Sequence, residues 1–141
     1  MFEKIQSVVE SWKADAVNLN PPLYTETTIQ TLIFASRPLA NDSLYLYSLC
    51  NGMKENTSDQ HFFELWSLEH IAKETLNFPA PFIPFADGLI SAHIYLLKYE
   101  SPDVSSVWLT YLNNEPPSML ASSLNEAFDL LLSNPGNLYL L

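Results

Sequence analysis

The residues able to do chemistry in this chain are few: three histidines (His61, His70 and His93), one cysteine (Cys50) and 16 acidic side chains. A zinc site needs histidines at helical spacing, as in HExxH, or several Cys and His together. No histidine here has a second at such spacing, so His70 reads as a solvated helix residue and His93 as a satisfied strand residue. Cys50 closes the run LYLYSLC, where an apolar helix buries a thiol and leaves it inert. There is no G-x-S-x-G and no Gly-rich phosphate loop, with only 3 glycines in all. Glu100 and Asp103 have the types for paired-carboxylate hydrolysis or a weak cation site, but YESPDVSS reads as an acidic turn. PFIP matches P-x-x-P in form, yet it adjoins an apolar strand and reads as buried. The expectation is a protein with no catalytic residue, no metal and no cofactor.

What remains is the chemistry of contact. Glu64 stands two residues before Trp66, and Trp108 and Tyr111 lie between Glu100/Asp103 and Glu115. Interfaces favour Trp and Tyr anchors inside a polar rim. The candidate partner-binding residues are therefore Glu64, Trp66, Glu100, Asp103, Trp108, Tyr111 and Glu115. The same aromatics also suit a core: in VWLTYL, Val107 and Trp108 must face opposite ways. For Trp66 and Trp108 the sequence leaves core and interface both open.

The elements that must hold these residues follow from periodicity. Phe2, Ile5, Val9, Trp12 and Ala16 recur at spacings of three and four, one stripe of an amphipathic helix that ends before Asn20-Pro21-Pro22. A second helix is expected from Thr27 or Thr28 to Arg37-Pro38. A third, capped by Asn41 or Asp42, runs through SLYLYSLC and stops at Asn51-Gly52. Met53–Gln60 reads as a mobile polar loop, HFFELW (His61–Trp66) as a strand, and Ser67 as the cap of a short helix through LEHIAKE. Asp87-Gly88 is the strongest hairpin signal, joining FIPFA to LISAHIYLL, a strand apolar on both faces and so central in its sheet. VWLTYL gives another strand, and the capping box Ser123-Leu124-Asn125-Glu126 opens a last helix through AFDLLL, ended by Asn134-Pro135-Gly136. The expected fold is α+β, a mostly antiparallel central sheet flanked by helices in one domain spanning residues 1–141.

Charge then restricts the partners. With 16 acidic against 6 basic residues the net charge is −10, and no Lys or Arg follows Lys98. Nucleic acid and anionic membranes both require clustered cations and are excluded as expected partners. A cationic protein is what this field attracts, although acidity also serves solubility alone. The N-terminus lacks the apolar core of a secretory signal, so a cytoplasmic location is expected. Monomer and weak homodimer both remain open, as does whether Leu138-Tyr139-Leu140-Leu141 packs inward or against a second copy.

LYLYSLCNG (Leu44–Gly52), LWSLEHI (Leu65–Ile71), FIPFADGLISAHIYL (Phe82–Leu96) and LASSLNEAFDLLL (Leu120–Leu132), in this order, resemble the SUKH superfamily. That superfamily contains a eukaryotic cell-wall-synthesis regulator and many bacterial immunity proteins, and the similarity spans roughly residues 20–133. Departures are Arg37-Pro38-Leu39, where family members carry Leu-Pro, and fewer glycines around the long strand. The resemblance implies a domain without catalytic residues, whose bacterial members bind and neutralise a cognate toxin, often a nuclease or deaminase. The alternative is a regulatory scaffold without inhibitory role. It also implies that Asn51, Gly52, Asp87 and Gly88 are structural turns.

Overall fold

Each strand of this protein pairs with the next in sequence, giving one antiparallel sheet of order β1-β2-β3-β4-β5. The strands are β1 (Phe63–Leu65), β2 (Ile83–Gly88), β3 (His93–Tyr99), β4 (Ser105–Thr110) and β5 (Ser118–Ala121). Four α-helices accompany them among the described residues: α1 (Glu3–Ala14), α2 (Asn41–Leu49), α3 (Leu68–Glu74) and α4 (Leu124–Ser133). The fold is α+β, as expected. The computed structural model describes residues 1–22, 37–88, 92–111 and 115–134. The expected second helix and the apolar Leu138–Leu141 end lie outside them.

The first helix follows from its stripe: Ile5, Val8, Val9 and Trp12 are all buried. It ends sooner than expected, because Ala16 takes φ +57° and turns the chain out of the helix. Leu19 then forms a β-bridge with Met53. The helix meets α4 side by side: Asn125 Oδ1 accepts from Lys4 N (2.9 Å) and Ile5 N (3.3 Å), while Lys4 Nζ lies 3.3 Å from Asp129. Together α1 and α4 cover one sheet face, where Phe63 stacks on Trp12 (6.0 Å between centroids), touches Tyr95 (5.2 Å) and meets Phe128 edge-on (6.4 Å).

Two expected caps are present. Ser67 Oγ accepts from His70 N at 3.1 Å and Ser123 Oγ from Glu126 N at 3.0 Å, each satisfying a donor left open by the first helical turn. The Glu126 carboxylate completes the second cap by reaching back to Ser122. For α2 the expected cap is corrected. Ala40 holds that position without a side-chain bond, and Asp42, inside the first turn, accepts from Ser43 N and from donors in other elements. Gly52, at φ +70°, makes the predicted corner, and Asn51 fastens it to α3 by accepting from Leu68 N (2.9 Å). Met53–Gln60 is no loose loop: Met53 N donates to Leu65 O, Lys54 N to Asn18 O, and Asp59 is buried.

The hairpin signal also needs correcting. Asp87 and Gly88 are not the turn but the last residues of β2, paired with Ile94 and His93 on one side and Glu64 and Phe63 on the other. The connection runs from there to Ala92, whose N–H returns to Gly88 O at 3.0 Å. The reason is tertiary: the Asp87 carboxylate receives an indole N–H, and Gly88 leaves the space that the His93 ring fills. The central strand is β3, buried from His93 to Leu97 on both faces, as its two apolar faces require. β4 begins at Ser105 rather than Val107, and β5 is an edge strand that follows Pro116-Pro117. No described helix is long and apolar enough to cross a membrane.

Candidate partner-binding site

Glu64 and Asp87 are direct cross-strand partners, so their carboxylates share one face of the sheet. Trp66, two residues beyond Glu64, turns its ring to the same side and donates from Nε1 to Asp87 Oδ2 at 2.7 Å. His70 stacks on that indole at 3.9 Å between centroids, made possible by the helix that Ser67 starts. Trp66 is 4% exposed, which corrects its place among the partner-contact candidates: its ring and its donor both serve the interior. The half-buried Glu64 carboxyl is raised from 4.5 to about 7, first by desolvation and then by the charges of Asp87 and Glu55, against a backbone hydrogen bond from Asn56.

This pair sets a pH dependence. Because Glu64 is raised in the folded protein, folding takes up a proton between about pH 4.5 and 7. The associated stability is complete below about pH 4.5 and is lost as pH rises through about 7. Glu64→Gln is expected to flatten that slope in urea midpoints measured on both sides of 7, with little change at the acid end. An identical slope in the variant would assign the titration to another group.

The other candidates divide between two ends of the sheet. Glu100 and Asp103 occupy the β3–β4 turn, where Glu100 lies 3.9 Å from Lys98 and Asp103 accepts from Asn41 Nδ2 at 2.8 Å. Tyr111 and Glu115 follow the opposite end of β4, the length of β3 away, about 20 Å at the usual rise per residue. The row Glu64–Asp87–Ile94–Thr110 crosses the sheet at this second end. Trp108 is half-buried between the two: its Nε1 donates to Ser106 Oγ (2.8 Å), its ring meets Phe82 edge-on (5.5 Å), and Lys98 Nζ stands 5.5 Å above it. Tyr111 is 37% exposed and rests on His93 at 5.5 Å. The structure brings Glu64 to Asp87 and Glu100 to Asp103, but it does not gather all seven residues into one patch.

Three carboxylates outside the expected partner-contact residues are interior. Asp42, Asp59 and Asp87 are 1%, 7% and 4% exposed. Asp42 accepts from Ser43 N (2.7 Å), Ser105 N (2.8 Å) and Leu124 N (3.4 Å), tying α2, β4 and α4 together. Burial raises its carboxyl, and these donors partly offset the rise. Asp59 accepts from Trp12 Nε1 (3.0 Å), His61 N (2.8 Å) and Phe63 N (3.1 Å). The only available signal was position, since Asp42 and Asp59 lie within three residues of an apolar run and Asp87 ends one. His93 is the buried base of this interior. Its Nε2 lies 3.1 Å from Tyr95 Oη, and desolvation lowers its pKa against the opposing pull of Asp87.

Among the described residues no group of three or more His, Cys, Asp or Glu is arranged to hold a metal ion. Compared with models of known protein families the chain matches none, and no curated protein matches it.

Proposed function

We propose that this chain is a non-enzymatic binding module of the immunity type, which captures a cationic partner protein, a cognate bacterial toxin, and blocks it by contact. The observation that carries the reading is the imbalance of exposed charge. Asp15, Glu55, Glu69, Glu100, Asp103, Glu115 and Glu126 are exposed, while the single arginine, Arg37, is buried. Of the five lysines, Lys4 lies against Asp129 and Lys98 against Glu100, and Lys13, Lys54 and Lys73 are exposed. Such a surface steers cations inward and raises association rates. Where the toxin is a nuclease, surface carboxylates stand in for the phosphates of its substrate. The resemblance to the SUKH superfamily supports this reading, and a single buried thiol suits the reducing cytoplasm in which such a protein would work.

The test begins with the partner, captured from the native cell as one basic protein in equal amount. Because the acidic groups occupy two ends of the sheet, each end is reversed separately, as E100K/D103K and as E115K. Reversal at the end that faces the partner is expected to slow association by about tenfold at low salt and to reduce its salt dependence. Unchanged association for both variants would remove electrostatic capture. Several weak partners in place of one tight one would favour the regulatory scaffold.

A further inference from the structure

A cavity of about 90 Å³ opens between α1, α4 and the segment before β1, with Ser11, Trp12, Asp15, Asp59, His61 and Leu132 in its lining. We infer that it is the seat of a lysine or arginine head group from the partner, an inference that rests on the proposed capture of a cationic protein. Asp59 carries the argument. Its Oδ2 takes the Trp12 indole N–H and its Oδ1 takes two backbone N–H groups, so all three donors are neutral. No lysine or arginine appears in the lining. A carboxylate has room for about four donors, which leaves one acceptor position on Oδ2 beside the indole.

Asp15, the residue that caps the C-terminal end of α1, adds a second, exposed carboxylate to the lining beside Ser11 and Trp12. Two carboxylates disfavour an anion. The volume is well above what a single water needs and accommodates a compact head group. Leu132, 42% exposed at the rim, gives the methylene stem of a long cationic side chain an apolar surface to lie on. The lining thus joins a buried carboxylate, an exposed one and exposed apolar surface, the chemistry that suits the charged head and apolar stem of a Lys or Arg side chain.

The three tryptophans provide the readout, since each indole N–H has a different acceptor: Asp59 for Trp12, Asp87 for Trp66 and Ser106 for Trp108. The isotope-labelled chain is titrated with n-butylammonium and n-butylguanidinium, and with n-butanol as the neutral match, at constant ionic strength. The Trp12 indole signal is expected to shift saturably with both cations and to move little with n-butanol, while the other two indoles stay in place. Asp15→Asn, at an exposed position, is expected to weaken the apparent affinity by about threefold. Equal shifts at all three indoles, or equal shifts with n-butanol, overturn the site. A Trp12 response without any captured basic protein would retain the cation site and sink the capture reading. Capture of a basic protein with a silent Trp12 would do the reverse.

Discussion

Replacing Asp42 by alanine is expected to cost about 4 kcal/mol of folding stability, since it leaves backbone N–H groups in three elements without their acceptor. Those groups belong to Ser43, Ser105 and Leu124, and the carboxylate that serves them is 1% exposed, so water cannot take its place. Asp42→Asn retains one acceptor oxygen and brings an amide N–H toward the same donors, so about half the loss is expected there. Asp103→Ala is the control: exposed and bonded only through Asn41 and the turn, it should change stability by no more than about 0.5 kcal/mol. Chemical denaturation of the three variants decides the matter. A loss near 1 kcal/mol for Asp42→Ala would mean that the three elements hold together without this carboxylate.

Gly52→Ala is expected to be about as damaging, at about 3 kcal/mol or more, for a backbone reason. Gly52 has φ +70°, and a Cβ there would stand 2.5 Å from the Trp66 carbonyl carbon and oxygen and 2.6 Å from Ser67 N. These are backbone atoms, so no rotamer change relieves the overlap. The corner they press against also holds the start of α3 and the carbonyl that accepts from Tyr47 Oη at 2.7 Å. Gly88→Ala makes an instructive comparison. Its Cβ would meet the tip of the buried His93 ring, a side chain and not backbone, and a smaller loss is expected. Equal losses at the two glycines would count against the left-handed corner as the cause.

What was legible in advance was whatever depends on neighbours in sequence. The stripe of α1, the Ser67 and Ser123 caps, the Asn51-Gly52 corner and the double-sided burial of β3 all rest on spacings of two to four residues. Asp87-Gly88 misled because its turn preference is local, whereas its strand state is imposed by β1, by the Trp66 indole and by the His93 ring. β5 was missed because four residues at a sheet edge, two of them exposed, carry no alternating pattern. Among candidate contact residues, Trp66 could not be sorted from composition: its acceptor is 21 positions away. The same holds for Asp42 and Asp59. An acid reads as surface until the donors that receive it are known, and those lie in other elements.

The nearest-neighbour order of the sheet has a consequence for how the chain assembles. The connections from β2 through β5 close short loops, at small entropic cost, while β1 reaches β2 across α3. The clasp between Asn125 and the start of α1 spans 121 positions in sequence, the longest closure among the described hydrogen bonds. Rates of folding fall as such remote closures are required early. The expected sequence of events is therefore meander first and α1 last, with α1 also the first element to detach on the way back.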